Sequence, residues 1–332
     1  MKPKLSIIIV NWNSQAFLRK CLESIRANRG ALSIEIIVVD NGSYDGCAEM
    51  ITREFPGVAF IQSRENLGFA RANNLGFEYS SGGSLLFLNP DTEVVGTALQ
   101  VLLASLESIP DAGVVGARLL NSDLSVQTSC IQTFPTILNQ ALDIEGLRMA
   151  FPKCCLWNLS ALFGEPEDEA AVDVISGACL MIKRAIFEKA GFFNTDYFMY
   201  SEDVDLCWRV KNLGWKAYYV GHATVVHHGG QSTLYRPDRR FPTVMMREAR
   251  YRFLTCSRGR LYGYGYRLSI ALVAICRLGL LGSILILTLG RFRRRTLQSA
   301  FAKWMAVFGW AASSTKDVTG SGPLATGLRK AS

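Results

Sequence analysis

Hydrophobic and polar positions along the first 110 residues predict strands and helices in alternation. Residues 5–10 (LSIIIV) and 34–39 form apolar, largely β-branched runs that end in polar residues, as fully buried strands do. Between them, residues 17–25 (FLRKCLESI) carry apolar side chains at helical spacing. Two further apolar runs and two further helical patterns continue the series, at 57–61, 85–88, 70–79 and 97–108.

This alternation predicts an α/β fold with a mostly parallel sheet and helices on both faces. Ligands of such sheets bind at the carboxyl ends of the strands. Polar side chains follow three of the predicted strands there: Asn11 and Asn13, Asp40, and Asn89 with Asp91. Ordinary turn chemistry explains any one of these loops, but three on one edge indicate a site.

The middle of the chain is harder to assign from its pattern. Residues 119–170 are aperiodic and are expected to form an excursion on the acceptor side of the sheet. A β-rich run at 172–182 follows, with a helix-like segment at 183–191. The stretches 216–220 and 223–230 predict a short strand pair.

The C-terminal segment differs in kind from the rest. Residues 268–290 are apolar apart from Arg277, which leaves an uninterrupted run of only thirteen residues, 278–290, whereas a span needs about twenty. The basic run RFRRR (291–295) and an amphipathic pattern at 297–310 follow. We therefore expect helices that lie in a membrane interface; a true span and a buried helix pair are the alternatives. The tail from 313 is expected to be disordered.

Composition places the chain among globular proteins with a large core. It has 332 residues, 49% hydrophobic and 19% charged, with a net charge of +8. Residues 236–260 carry eight Arg and no Lys against two acids. Such an excess suggests an acidic partner, such as anionic lipid, substrate phosphate or nucleic acid; a solvated basic face is the simpler alternative.

The nine cysteines and the N-terminus bear on the compartment. No C-x-x-C pair occurs, and several cysteines lie inside apolar runs, which favours reduced, packed thiols over disulfides or a zinc site. The first apolar run is too short for a signal peptide. We therefore expect the bulk of the chain to face the cytosol.

Two nucleotide-binding motifs are missing, and other candidates take their place. Neither a G-x-G-x-x-G after the first strand nor a G-x-x-x-x-G-K-[ST] occurs, which argues against a dinucleotide dehydrogenase and a P-loop NTPase. Asp40, which ends the second predicted strand, can instead accept hydrogen bonds from a base or a ribose. On its own this is a weak signal.

Oxygen and imidazole ligands suggest a divalent metal site. Asn89-Pro90-Asp91 follows a buried strand and presents two oxygen side chains, which suit Mg²⁺ or Mn²⁺. The chain's three histidines, His222, His227 and His228, fall within seven residues, and one of them could complete the shell of Asp91. The alternatives are a helix-capping turn at Asn89 and solvated or phosphate-binding histidines.

The segment FMYSEDVDLCWRV (198–210) concentrates acids beside aromatic residues. Ser201 is a good helix N-cap, and carboxylates in a first turn favour the helix dipole. Capping alone does not require Phe198, Met199 and Tyr200 before the acids. These side chains are expected to form a surface that partly excludes water, which suits a carboxylate base. At helical spacing Glu202, Asp203 and Asp205 do not share a face, so a metal held by all three is not expected.

These segments together resemble family 2 glycosyltransferases of the GT-A fold, in particular the rhamnosyltransferase-like branch of bacterial cell-surface polysaccharide synthesis. The resemblance covers about residues 4–235. It rests on seven segments in order: NWN, VVDNGSYDG, NLGFARANN, LNPDTEV, SGACLMIKR, FMYSEDVDLCWR and VVHHGGQST.

The resemblance implies roles for individual residues. Asp203 matches the family's general base, and Glu202 would orient or hydrogen-bond beside it. Asp91 and His227 match metal-binding positions, and an asparagine, Asn89, stands where the family has the first aspartate of its motif. Donor and nucleotide contacts would come from Asn11, Asn13, Asp40, Asn66, Arg71, Asn74 and Asn89. A second departure is Asn194-Thr195, where the family usually has an acidic pair.

The implied activity is inverting transfer from a nucleoside-diphosphate sugar, assisted by Mg²⁺ or Mn²⁺. L-rhamnose from dTDP-rhamnose is the favoured donor; UDP-galactose, UDP-glucose or a non-catalytic membrane-bound binding protein are the alternatives. The acceptor would be a saccharide or polyprenyl-diphosphate-linked saccharide at the cytoplasmic face of the membrane, with peripheral or monotopic attachment. No nucleic-acid partner is expected. The expected divisions are 1–117 (nucleotide-sugar half), 118–240 (acceptor half), 241–312 (membrane-associated helices) and 313–332 (tail).

Overall fold

The structure, a computed structural model, describes residues 2–163, 169–229, 240–287 and 294–313. This part of the chain divides into two compact units, with boundaries after Phe134, Glu145 and Tyr235. The first unit contains every residue assigned above to catalysis, donor binding or metal binding. Several expectations fall outside the described residues: those for 291–293, for the tail from 314, and for Gly230 and Ser232 after the histidines.

Among the described residues, nine strands form one sheet in the first unit, and two short strands, β7 and β9, pair separately. The strands are β1 (Leu5–Asn11), β2 (Ile34–Asp40), β3 (Ala59–Gln62), β4 (Ser84–Leu88), β5 (Thr92–Val94), β6 (Ala112–Leu120), β7 (Ile131–Gln132), β8 (Glu169–Val172), β9 (Val174–Ile175), β10 (Cys179–Lys183) and β11 (Lys216–His227).

The sheet is parallel on one side and mixed on the other. Its order is β3-β2-β1-β4-β10-β6-β11, and β5 and β8 both pair with β11. All pairings from β3 to β4 are parallel, as is the pairing of β6 with β11. Strand β10 is antiparallel to both of its neighbours. The predicted α/β class is confirmed, with an antiparallel strand that the periodicity did not reveal.

Eleven helices are described along the chain. They are α1 (Gln15–Asn28), α2 (Cys47–Glu54), α3 (Gly68–Glu78), α4 (Ala98–Ser108), α5 (Ile137–Ala141), α6 (Glu145–Ala150), α7 (Arg184–Lys189), α8 (Glu202–Asn212), α9 (Arg240–Arg258), α10 (Arg260–Leu287) and α11 (Arg294–Ala312). A 3-10 turn covers Ser160–Phe163.

Burial explains the continuous apolar runs. The side chains of Ile7, Ile8 and Ile9 are all fully buried, so β1 is covered on both faces and needs no polar side. Helix α3 packs so closely on β1 and β2 that a Cβ atom on Gly76 would lie 2.5 Å from Ile8 Cγ2 and 3.2 Å from Val39 Cγ2.

Two strand predictions need correction. The β-rich run at 172–182 covers the last residue of β8 and the strands β9 and β10, and Ser176-Gly177-Ala178 separates the last two. The predicted pair at 216–220 and 223–230 is one strand, β11, whose register against β6 shifts between Val220 and Thr224. The irregularity interrupts the sequence pattern without ending the strand.

The expected boundary between residues 117 and 118 falls inside β6. The division of the first unit into a nucleotide half and an acceptor half stays a prediction.

All nine cysteines are free thiols, and burial raises the pKa values of Cys21, Cys179 and Cys207 to about 12. These three thiols therefore stay protonated and serve as packing groups.

The second unit contains α5 and the helices α9, α10 and α11. Helix α10 is continuous over 28 residues, so Arg267 and Arg277 do not interrupt it. Arg267 is buried, and its guanidinium donates to the backbone oxygens of Trp310, Ala311 and Ser313 at the end of α11. A cation at these carbonyls satisfies groups that a helix end leaves unpaired.

Candidate active site

The ends of β1 and β2 form the first part of the site. Asn11 and Asp40 are register partners and fully buried, and the Asn11 amide donates to Asp40 Oδ1 at 3.0 Å. Asp40 Oδ2 accepts from the backbone N–H of Ser43 at 3.0 Å and from the Gln62 amide. The protein thus holds the Asp40 carboxylate rigidly at the predicted nucleotide edge. Its contact with a nucleotide stays a prediction.

Asn13 joins the loops that follow these two strands. Its φ of 48° lies in the left-handed region, which asparagine tolerates better than most residues. Its backbone N–H donates to Ser43 Oγ at 2.9 Å, and its side-chain oxygen accepts from the backbone N–H of Tyr44 at 3.2 Å. Asn13 therefore shapes the loops around Asp40.

The N-terminus of α3 lies against both the β2 loop and the acidic segment. The Asn41 amide donates to Asn66 Oδ1 at 3.0 Å, and Asn41 Oδ1 accepts from the backbone N–H of Leu67 at 2.7 Å. Gly68 has φ +79°, and a Cβ atom there would lie 2.4 Å from the carbonyl oxygen of Phe198. Only glycine combines this backbone angle with this approach. Asn66 thus organises the loop.

Arg71 and Asn74 both lie on α3 but have different surroundings. Arg71 is exposed. The Asn74 amide donates to the carbonyl of Phe193 at 2.8 Å, and its oxygen accepts from the backbone N–H of Phe193 at 3.0 Å. In this structure Asn74 therefore binds the segment that precedes the acids, and donor contacts by Arg71 and Asn74 stay predictions.

The residues predicted to bind metal lie together at the ends of β4 and β11. His227 Nε2 lies 3.4 Å from Asp91 Oδ1 and 3.2 Å from the Asn89 amide nitrogen. The Asp91 and His227 side chains are only 8% and 14% exposed. A carboxylate, an amide and an imidazole thus converge at one largely buried place.

Gln127 sets the orientation of the His227 ring. Asn121 donates to Ser125 Oγ, so its oxygen accepts from the Gln127 amide nitrogen at 2.9 Å. The other side of the Gln127 amide is then an oxygen, which lies 2.7 Å from His227 Nδ1. An amide oxygen only accepts, so Nδ1 carries a proton, and Nε2 accepts from the Asn89 amide nitrogen at 3.2 Å beside Asp91. Metal-binding histidines have this arrangement.

The other two histidines are placed differently. His228 Nε2 lies 2.8 Å from Glu93 Oε1, and its Nδ1 lies 2.8 Å from Ser122 Oγ. Both ring nitrogens therefore have protein partners. His222 is exposed. The geometry favours His227 among the three as a metal ligand, because its Nε2 lies beside Asp91 and Asn89, the other residues predicted to bind metal.

These residues fit a divalent cation such as Mg²⁺ or Mn²⁺, since Asp91 provides a carboxylate and His227 an imidazole nitrogen, with the Asn89 amide beside them. A second group among the described residues, Asp40, Asp45 and Cys47, has ligand atoms within 4.8 Å of one another. Burial, together with the two neighbouring aspartates, raises the pKa of the Cys47 thiol far above its usual range. A protonated thiol is a poor ligand, which favours the Asp91 group.

Asp203 lies in the first turn of α8 with both carboxylate oxygens held by backbone. Oδ2 accepts from the N–H of Gly177 at 3.0 Å, and Oδ1 accepts from the N–H of Val204 at 2.8 Å. Each oxygen keeps a further lone pair, so the group can still accept a proton from a ligand. The preceding Tyr200 and Ser201 have φ values of 73° and 65°, a strained arrangement of the kind found at functional sites.

The neighbouring acids have other surroundings. Glu202 is buried. Asp205 is also buried, which raises its pKa, while the guanidinium of Arg209 at 2.8 Å opposes that shift. Asp205 is therefore a packing and ion-pairing residue of α8, in agreement with the three acids not sharing one face.

One short segment connects Asp203 with the metal group. Gly177 donates its N–H to Asp203, and the next residue, Ala178, accepts from the backbone N–H of Asn89 at 3.0 Å. The candidate base and the Asn89-Pro90-Asp91 turn are thus anchored on adjacent residues between β9 and β10. Sequence reasoning missed this link, and it missed Gln127 because that residue lies in an aperiodic stretch 100 residues before His227.

Comparisons with known proteins bear on the family and the fold of this chain. The sequence model described as glycosyl transferase family 2 matches residues 6–191, more than half of the chain. The N-acetylglucosaminyl-diphospho-decaprenol L-rhamnosyltransferase of Mycobacterium tuberculosis (strain CDC 1551 / Oshkosh) is 29% identical over 246 residues, 70% of this chain and 78% of the relative. Rhamnosyltransferase WbbL of Escherichia coli (strain K12) is 25% identical over 233 residues, 67% of this chain and 82% of the relative.

A solved structure supports the fold. A mannosyltransferase from Pyrobaculum calidifontis, in complex with GDP-Man and Mn²⁺, superposes with a TM-score of 0.59 at 15% identity, covering 94% of this chain and 89% of its own. The predicted GT-A fold class is confirmed. The resemblance to the rhamnosyltransferase-like branch is confirmed by the two rhamnosyltransferase relatives.

Proposed function

The chain belongs to glycosyl transferase family 2, and from that premise we propose that it is an inverting, metal-assisted sugar transferase. The favoured reaction moves L-rhamnose from dTDP-rhamnose to a hydroxyl of a polyprenyl-diphosphate-linked saccharide. The M. tuberculosis relative, a rhamnosyltransferase named for N-acetylglucosaminyl-diphospho-decaprenol, supports this choice of sugar and acceptor. UDP-galactose and UDP-glucose are the alternative donors.

The observation that carries the proposal is the shared anchoring of Asp203 and the Asn89–Asp91 turn on Gly177 and Ala178. A transferase needs a base on the acceptor side and a binding group for the leaving diphosphate beside it. Asp203 provides the first, and Asp91 with His227 provides the second.

Asp203 would accept the proton of the acceptor hydroxyl while that oxygen attacks C1 of the sugar. The bond from C1 to the diphosphate oxygen breaks as the new bond forms, so the configuration at C1 inverts. The backbone N–H groups of Gly177 and Val204 keep the carboxylate in one orientation during this transfer. Bound at Asp91, Asn89 and His227, a divalent cation would supply charge stabilisation for the leaving diphosphate.

The test is a donor panel with a lipid-linked acceptor, followed by nucleoside-diphosphate release with and without EDTA. Asp203→Asn should lower kcat by about a hundredfold to ten-thousandfold. Asp196→Asn removes an exposed acid from the same segment and serves as the matched control, with activity retained. Full activity of folded Asp203→Asn excludes Asp203 as the base, and a chain that turns over no donor is a binding protein instead.

Membrane attachment is also proposed, through one face of α10. Among the described residues, this helix alone is long and apolar enough to cross a membrane by length and composition. Arg267 is buried, and the Arg277 guanidinium lies 5.3 Å from the ring centroid of Trp304. Neither charge therefore lies on the exposed face. The apolar side chains along that face are Leu261, Tyr264, Leu268, Leu272, Ile275 and Ile286.

The spacing of these residues follows the helical repeat, so they form one stripe. Exposed Arg258 and Arg260 lie at its start, where they can contact anionic headgroups. We place the stripe in the cytoplasmic leaflet as a peripheral or monotopic attachment. Flotation with anionic vesicles tests this: Leu268→Asp with Leu272→Asp should release the protein, and retention of the double variant on the vesicles refutes the attachment face.

A further inference from the structure

The segment between α7 and α8, residues 190–201, leads directly to Asp203, the second residue of α8, but is poorly suited to hold its own shape. Phe192, Tyr200 and Ser201 all have positive φ, at 64°, 73° and 65°. Side chains with a Cβ atom rarely adopt this region. Strained segments of this kind keep their conformation only when the surrounding structure imposes it.

Helix α3 provides that support at two places. Near its middle, the Asn74 amide makes both of its hydrogen bonds, at 2.8 and 3.0 Å, with the backbone of Phe193. At its start, the N–H of Phe69 donates to the carbonyl of Phe198 at 2.9 Å, where Gly68 permits close packing. The Phe69 and Phe193 rings also meet edge to face, with centroids 5.8 Å apart.

The same end of α3 is fixed to the loop after β2. Asn41 accepts from the N–H of Leu67 at 2.7 Å and donates to Asn66 at 3.0 Å. Asn41 directly follows Asp40, the predicted nucleotide contact. Helix α3 thus lies between the donor side of the site and the segment that leads to Asp203.

From this placement we propose that Asn74 is a positioning residue for the 190–201 segment, and through it for Asp203, rather than a ligand of the sugar donor. Both ends of its amide are bonded to the backbone of Phe193, which is only 1% exposed, so these two bonds orient the amide toward the segment. The inference rests on the proposed function in its claim about catalysis, but its claim about the segment does not depend on any activity.

The test compares Asn74→Ala with Asn73→Ala in the full chain. Asn73 is the neighbouring asparagine on α3, and its amide donates to the carbonyl of Phe69 within the same helix at 3.0 Å. Asn73→Ala therefore loses a buried amide bond without losing one to the segment. Asn74→Asp is the second variant: it keeps the acceptor for the Phe193 N–H but loses the donor for the Phe193 carbonyl.

Hydrogen–deuterium exchange of residues 190–201 is the first readout. Exchange should rise in Asn74→Ala, rise less in Asn74→Asp and stay at the wild-type level in Asn73→Ala. The second readout is kinetic: kcat should fall by about 10- to 100-fold in Asn74→Ala, as expected when a reacting group is misplaced. KM for the donor and the Kd for dTDP with Mn²⁺ should stay within about twofold of wild type.

Unchanged exchange of the segment in Asn74→Ala overturns the proposal whatever the rate does. A weakening of dTDP binding by tenfold or more with unchanged exchange identifies Asn74 as a donor ligand instead. Raised exchange with an unchanged kcat also overturns the positioning role. If wild type itself transfers no sugar, the proposed function fails, while the exchange comparison still decides whether Asn74 holds the segment.

Discussion

Replacing Gln127 with leucine tests how His227 is prepared for a metal. The Gln127 oxygen lies 2.7 Å from His227 Nδ1 and keeps a proton on that nitrogen, which leaves Nε2 as an acceptor beside Asn89 and Asp91. Leucine is close in size but cannot accept, so the ring would lose both its orientation and its preferred tautomer. Removing such an outer partner weakens metal binding by about 10- to 100-fold, or about 1.4–2.8 kcal/mol at 1.4 kcal/mol per factor of ten.

Gln127→Glu separates this effect from general damage. A carboxylate still accepts from Nδ1, but it cannot donate to Asn121 as the Gln127 amide does at 2.9 Å. Binding of Mn²⁺ by Gln127→Glu should therefore stay closer to wild type than binding by Gln127→Leu. Gln15→Leu is the control for the loss of a glutamine. It removes a hydrogen bond to the carbonyl of Gly46, which does not involve His227, and it should bind Mn²⁺ as wild type does.

The assay is titration with Mn²⁺, with the free ion followed by electron paramagnetic resonance and no sugar donor present. Circular dichroism verifies that each variant is folded. Equal Mn²⁺ affinity in wild type and Gln127→Leu would refute the role of Gln127. Equal loss in the leucine and glutamate variants would show that the hydrogen bond to Nδ1 is not the cause.

Two predictions concern stability. Gly76→Ala should lower the free energy of unfolding by about 1–2 kcal/mol, because overpacking against Ile8 at 2.5 Å outweighs the better helix propensity of alanine. The control is Gly57→Ala, where a Cβ atom meets open space, and it should change the free energy of unfolding by less than about 1 kcal/mol. Equal urea midpoints for the two variants would contradict the packing argument. Partial burial favours a raised pKa for Glu35, but hydrogen bonds from Ser6 and from the residues at 81 and 82 outweigh it and lower the pKa below its usual value. The ionised Glu35 therefore stabilises the fold at neutral pH, and this contribution is lost as the pH falls through the folded-state pKa. The free energy of unfolding of wild type should exceed that of Glu35→Gln at pH 7, and the difference should disappear on acidification. A difference that does not depend on pH would disprove the linkage.

Local patterns were sufficient for several parts of the fold. The β-branched run of β1 and the helical spacing in α1 depend on neighbours within a few residues, so periodicity identifies them. The strand ends then locate Asn11, Asp40 and Asn89, since parallel strands bring their carboxyl ends to one edge. The acidic first turn of α8 agrees with the helix dipole, but the predicted cap at Ser201 is wrong, since that residue has φ 65° and makes no side-chain capping hydrogen bond.

Other predictions failed or stayed incomplete because their cause is not local. A register shift in β11 resembled a break between two strands. Arg277 argued against a membrane span, but its guanidinium lies 5.3 Å from the ring centroid of Trp304, a contact that the linear pattern of α10 does not contain. Asn74 matched a donor-side motif, while its bonds run to Phe193, 119 residues later.

The sequence by itself determined the α/β class, the family resemblance and the residue types of the site, because these depend on composition, short-range periodicity and motif order. Only the tertiary structure decided which partners fix those residues. Gln127 meets His227 across 100 positions, and Gly177 meets Asp203 across 26. The physical reason is that a side-chain hydrogen bond forms between atoms about 3 Å apart in space, and the packing of strands and helices sets that separation independently of distance along the chain.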